Sequence, residues 1–301
     1  MLIGYDGSAG ADSALEGLRG AGLPREAEAF VLSAADVFLP SGLKTDLPKQ
    51  KIAFVEKARQ RAKESVAEAG RQAKSGAQKL KAAFPHWTIH HASCADSPAW
   101  ALVKKAEEWK PTLVAVGAHG HSVVGRFLGS VSQMLLTQTS CSVRVGRARS
   151  HPDTGKTRIV LGIDGSPDCE AALRAAATRS WPPHAEFLLI SVLDPKMSSL
   201  IAHLAPPIMR WFSEHADDER GLVGRMLEAY AKKLRDGGAV ATCLVKEGNA
   251  SRALVEEAEA WQADCIFVGA RGLTHLKRLL MGGVSTAVAA RAHCSVEVVR
   301  L

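Results

Sequence analysis

The sequence predicts a tandem of two doubly wound α/β domains, and three observations carry that expectation. The chain has 301 residues, more than one hydrophobic core usually organises, so two domains of about 150 residues are expected. Ile3-Gly4-Tyr5-Asp6-Gly7-Ser8 returns as Leu161-Gly162-Ile163-Asp164-Gly165-Ser166, an offset of 158. Ala101 to Gly120 then aligns without a gap with Ala253 to Gly272, and 10 of the 20 positions are identical. Self-similarity of this kind marks a duplicated unit.

Each copy alternates short β-branched runs with amphipathic stretches, the pattern of a parallel sheet covered by helices. In the first copy the runs are Phe30 to Leu32, Leu113 to Val116 and Cys141 to Val145, with a third strand near His86 to His91. In the second copy they are Arg158 to Ile163, Phe187 to Val192, Val240 to Val245, Cys265 to Val268 and Ser295 to Val299. Five strands per domain result. Ser97-Pro98 reads as a helix start before Leu102, Val103, Ala106 and Trp109, and Asn249 caps the equivalent helix. Trp100, Trp109 and Trp261 are expected to pack on the sheets. The offset drifts from 158 to 152, which puts about six extra residues in the first copy, around Gln50 to Lys81. Arg147 to Lys156 has Ser150, Pro152, Asp153 and Gly155 without apolar periodicity, so it reads as a linker. The expected division is domain 1 over 1–148, linker over 149–156 and domain 2 over 157–301, with the boundary near residue 152.

Composition narrows the function. Hydrophobic residues make up 47% and charged residues 23%, the balance of a globular protein. No run reaches the roughly 18 apolar residues of a membrane span, and Met1 to Asp6 lacks a basic region and an apolar stretch, so no secretory signal is expected and the location is expected to be cytoplasmic. The first strand begins at the initiator, which leaves a misassigned start codon open. The net charge of +7 is spread among acids, which makes nucleic acid an unexpected partner. Cysteines 94, 141, 169, 243, 265 and 294 show no C-x-x-C spacing and read as reduced, buried thiols.

A glycine loop follows the fourth strand in both copies: Gly117-Ala118-His119-Gly120 and Gly269-Ala270-Arg271-Gly272. Glycine lets a phosphate approach the backbone, and a following helix N-terminus adds N–H donors and a favourable dipole. Asp6 and Asp164 end the first strands, where an open parallel sheet binds ligands; either could meet a base or ribose, or cap the next helix. Thr154-Gly155-Lys156-Thr157 imitates the end of a P-loop but has Ser150 where the first glycine belongs.

Together these motifs resemble the universal stress protein family, whose ATP-binding members carry G-x2-G-x9-G-[S/T] after strand four. The resemblance covers the chain twice. It implies, in each domain, a five-stranded parallel sheet in order 3-2-1-4-5 flanked by helices, the two domains packing as a pseudo-dimer, and homodimers joined through the last strands. It also implies ATP as the ligand, accompanied or not by Mg²⁺, with Asp6 and Asp164 near adenine and ribose and with Ala34 and Val192 lining the base pocket. Gly117, Gly120, Gly129, Ser130 and Val131 would line the phosphates in the first copy, and Gly269, Gly272, Gly282, Gly283 and Val284 in the second. Both copies depart from the pattern. Only eight residues, His121 to Leu128, separate Gly120 from Gly129, while the second copy keeps nine, Leu273 to Met281, but has Gly283 in place of Ser or Thr. The second site is therefore expected to bind better, with a nucleotide-independent scaffold as the alternative.

No catalytic constellation stands out. Ser8 and Ser166 lie outside any G-x-S-x-G elbow and read as helix-start residues. His86 and His90 share a predicted strand face without a third metal ligand. Arg271, Lys277 and Arg278 add positive charge near the second loop and read equally as a solvated helix face. Cys141 and Cys294 precede the last strands as small hydrophobes. The expectation is a regulatory nucleotide-binding module and not an enzyme beyond slow ATP hydrolysis.

Overall fold

The computed structural model describes residues 1–37, 49–120, 128–151, 155–193, 216–272 and 282–301. Contacts divide the chain into two compact units, one holding most of residues 1–146 and the other holding Arg147–Leu301.

The first unit contains strands β1 (Leu2–Gly4), β2 (Glu28–Ala35), β3 (Thr88–Ala95), β4 (Leu113–Gly117) and β5 (Ser142–Gly146). All are parallel, in the order β3-β2-β1-β4-β5. Helices α1 (Ala9–Glu16), α2 (Lys49–Ala83), α3 (Pro98–Trp109) and α4 (Ser130–Gln138) connect them. The central strands are covered on both faces, which is why they read as continuous apolar runs: Leu2, Ile3, Val114 and Ala115 are buried, as are Val143 and Val145 of β5. Ile3 sits opposite Val31 on one side and Ala115 on the other.

The second unit repeats the plan with β6 (Arg158–Gly162), β7 (Glu186–Leu193), β8 (Val240–Glu247), β9 (Cys265–Gly269) and β10 (Ser295–Val299), in the order β8-β7-β6-β9-β10. Its helices are α5 (Pro167–Ala177), α6 (Ala216–Asp236), α7 (Ala250–Ala260) and α8 (Gly283–Arg291). Ile159, Leu161, Phe187, Leu189 and Phe267 form the sheet side of its core, which Leu227 and Ala231 of α6 cover. The order 3-2-1-4-5 is thus present in each unit.

Helix starts follow the local chemistry. Ser166 caps α5 by accepting from Cys169 N at 3.2 Å, with Pro167 next, and Asn249 caps α7 by accepting from Arg252 N at 3.0 Å. Ser97 occupies the cap position of α3, but its hydroxyl takes no capping bond; its own N–H donates to Asp96 at 2.8 Å.

Three expectations need correction. Trp100 is 47% exposed, because it stands two residues before Leu102 and faces away from the stripe of Leu102, Val103 and Ala106 that meets the sheet. The third strand begins at Thr88, so His86 precedes it and shares no strand face with His90; His90 instead pairs with Glu28 at 2.9 Å. Cys94, Cys141 and Cys243, expected to be buried, are only half-buried, unlike Cys169, Cys265 and Cys294.

Candidate functional site

The loop after β1 is built the same way twice. Gly7 and Gly165 have φ of +76° and +75°, values that favour glycine. Asp6 Oδ1 accepts from Ser8 N at 3.0 Å, and Asp164 Oδ1 accepts from Ser166 N at 3.0 Å. Each aspartate therefore closes an Asx-turn and leaves the capping of the next helix to the serine. Ser8 Oγ does so by accepting from Ala11 N at 3.1 Å.

Across from each aspartate stands a glycine. A Cβ added at Gly120 would lie 2.8 Å from Asp6 Oδ2, and one added at Gly272 would lie 2.8 Å from Asp164 Oδ2. Gly117 and Gly269 are equally constrained, with a Cβ falling 2.6 Å from the carbonyl carbon of Gly10 and 2.7 Å from that of Asp168. The loop thus lies directly against the start of α1 or α5, with its backbone presented to the space over the sheet. At its far end Gly129 N donates to Ala118 O at 2.8 Å, and Gly282 N donates to Ala270 O at 2.8 Å. These glycines are the N-caps of α4 and α8, and neither helix has a side-chain cap. First-turn amides have no intrahelical acceptor, so those of Ser130 and Val131, and of Gly283 and Val284, are available to an anion.

In the first unit these parts enclose a cleft of about 390 Å³ at the carboxyl ends of β1, β2 and β4, and its lining includes all seven sequence-selected residues: Asp6, Ala34, Gly117, Gly120, Gly129, Ser130 and Val131. Tyr5, Asp36, Gln72 and His119 complete the walls used below. In the second unit Asp164, Gly269, Gly272 and Gly282 repeat the first unit's contacts, and Val192 takes the register position of Ala34. A Cβ at Gly283 would meet nothing within 4 Å. The spacers that distinguish the two glycine motifs lie outside the described residues except for Leu128, as do Lys277 and Arg278.

Sequence reading missed three features. Arg271 lies in the loop and not on a helix face: its N and Nε donate to Asp168 Oδ2 at 3.1 and 2.7 Å, and its Nη2 donates to Oδ1 at 2.7 Å. The hydrogen bonds to this buried carboxylate raise the guanidinium pKa against the opposing effect of burial. The first unit has Gly10 and His119 at these positions, and a Cβ at Gly10 would fall 2.1 Å from His119 O. Tyr5 donates to Asp12 at 2.6 Å, while Lys79 reaches Tyr5 Oη at 3.0 Å and Asp12 at 2.6 Å; burial, then the bond to Asp12, raise the Tyr5 pKa. Gln72 and its counterpart Met226 come from long helices whose periodicity does not show which turn meets the cleft. Among the described residues no cluster of three or more His, Cys, Asp or Glu could hold a metal, and no helix is long and apolar enough to cross a membrane.

A parallel sheet with a glycine loop and an uncapped helix N-terminus at its carboxyl edge, occurring twice, defines a tandem α/β protein. The universal stress protein family matches residues 1–147 and again 156–300. The chain belongs to that family, as a two-domain member. A universal stress protein of Mycolicibacterium smegmatis is 31% identical over 195 residues, which cover 62% of this chain and 61% of that protein. Universal stress protein Sll1388 of Synechocystis is 29% identical over 152 residues, 48% of this chain and 99% of that protein. The solved universal stress protein of Archaeoglobus fulgidus shares the fold over 99% of this chain and 97% of its own, with a TM-score of 0.58 at 18% identity.

Proposed function

We propose that the chain is a regulatory module of a cytoplasmic stress response that binds ATP, with or without Mg²⁺, and holds it with little turnover. The observation that carries this is the first-unit cleft, where a carboxylate at the end of β1 faces a glycine loop and the uncapped start of α4 across about 390 Å³. A triphosphate fits the amide cradle, and the base fits the end near Ala34 and Asp36. The low-turnover reading rests on the cradle itself, whose backbone amides hold phosphate oxygens and take no part in proton transfer; the proton acceptors of the cleft are Asp6, Asp36 and His119. The second domain is the stronger site in this proposal. Its spacer has the nine residues of the family pattern, and Asp168 ties its loop in place through Arg271.

Calorimetric titration of Mg²⁺-ATP into the chain and into Gly272→Val tests this. The valine Cβ would sit against Asp164 and block the second cleft only. Two binding events of which only the tighter is lost in the variant support the proposed ranking, whereas two events of equal affinity would make the sites equal. No heat at millimolar ATP would overturn nucleotide binding and leave a scaffold.

A further inference from the structure

The turn after the first strand is built alike in both units, with Gly7 and Gly165 at φ of +76° and +75°, but one side chain over it differs in kind. A Cβ at Gly7 would lie 3.3 Å from Gln72 Cγ, and a Cβ at Gly165, its counterpart, would lie 3.6 Å from Met226 Sδ. Gln72 of α2 and Met226 of α6 therefore occupy the same place. Ser33, buried in β2, donates to Gln72 Oε1 at 3.2 Å. That bond fixes the amide and leaves Nε2 with no protein acceptor among the described residues, on a side chain that lines the cleft. Gln72 thus touches the loop after Asp6 at Gly7 and β2 at Ser33, the neighbour in sequence of Ala34, within the same cleft lining.

We propose that Gln72 is a specificity-determining residue of the first cleft, donating from Nε2 to an acceptor atom of the nucleobase, and that Met226 removes this contact from the second. The two clefts then differ in how strongly they read the base while sharing their means of holding phosphate. This rests on the reading of the first cleft as a nucleotide site.

The test uses the full chain carrying Gly272→Val, so that only the first cleft is open, with ATP and inorganic tripolyphosphate as separate calorimetric probes. Gln72→Met installs the residue that the second domain tolerates at this place, and circular dichroism checks its folding. Loss of one neutral hydrogen bond predicts ATP binding weaker by roughly 3- to 10-fold, with tripolyphosphate unchanged. Gln72→Glu, which puts an acceptor where the donor was, should weaken ATP at least as much. The inference is overturned if Gln72→Met leaves ATP affinity unchanged, if it weakens tripolyphosphate equally, or if Gln72→Glu binds ATP like the parent. Failure of both probes to bind the parent would overturn the nucleotide reading of this cleft together with the inference, a result distinct from the other three.

Discussion

The Asp168–Arg271 contact offers the sharpest stability test. Asp168 is 2% exposed, and Arg271, at 23% side-chain exposure, gives it two guanidinium N–H bonds and one backbone bond. Asp168→Asn keeps the shape and removes the charge, leaving an amide N–H against an arginine donor. Hydrogen bonds to charged groups contribute about 1.5–3 kcal/mol each, but the partly exposed guanidinium regains water, so the net loss is about 2–3 kcal/mol rather than the sum. For a domain of this size that lowers the melting temperature by roughly 5–10 °C. Arg271→His, which copies His119, strands the carboxylate and costs more, about 3–5 kcal/mol. Combining the two changes should recover part of that loss, because the uncompensated charge is gone. Calorimetric scans of the four proteins complete the cycle. A shift under about 2 °C for Asp168→Asn, or strictly additive effects, would refute the assignment of the pair as a clamp on the second glycine loop.

Three further outcomes are expected. Gly283→Ser adds the hydroxyl of the family pattern where a Cβ meets no atom within 4 Å, so ATP should bind the second cleft up to about 10-fold tighter in calorimetry. Burial works against the Asp12 carboxylate, but hydrogen bonds from Lys79 and Tyr5 outweigh it and hold its pKa below the ordinary value, while the bonds to Asp12 and then Tyr5 raise that of Lys79. A lowered acid stabilises above its unfolded pKa and a raised base stabilises below its own, so the network acts between about pH 4 and 10. Lys79→Met should therefore cost under about 1 kcal/mol at pH 7 in urea melts, since the pair is half exposed, and nothing at pH 2. Burial pushes the Cys169 thiol up to about 11 and also raises that of Cys294, so a thiol reagent at pH 8 should label Cys169, Cys265 and Cys294 only after denaturation, as peptide mapping would show.

The repeat made the fold legible because apolar runs buried on both faces leave a continuous signal: Ser295 to Val299 was read to its ends. The strand at Thr88–Ala95 was blurred because Thr88-Ile89-His90-His91 at the sheet margin is free to be polar. Trp100 was legible and misplaced, since its own spacing from Leu102 puts it off the buried stripe. At the site, the aspartates and glycines could be found because backbone geometry dictates those residue types: a Cβ at Gly120 or Gly272 would collide with a carboxylate. Gln72 and Met226 could not, because any of several turns of α2 or α6 could face the cleft. The Asp168–Arg271 contact joins residues 103 apart, and neither position looks unusual alone.

That division has a physical cause which bears on how the two clefts diverge. Contacts that use backbone atoms constrain the chain through sterics, so Asp6 with Gly120 and Asp164 with Gly272 repeat within the same 2.8 Å. Contacts that use side-chain tips leave the backbone unchanged when replaced. Gln72 can become Met226 over equivalent glycine turns, whereas Asp168 with Arg271 needs a loop path different from the one at Gly10, where a Cβ would fall 2.1 Å from His119 O. The glycine loop and the uncapped helix start are therefore the features that duplication preserves. The side chain over the Asp loop and the contact that ties the glycine loop, Gln72 against Met226 and His119 against Arg271, are the features that diverge. Under the proposed nucleotide reading, a chain with two such sites would respond to one nucleotide at two concentrations or to two nucleotides at one, and the ratio of the two affinities, tested at Gln72, Met226, Asp168 and Arg271, would determine which.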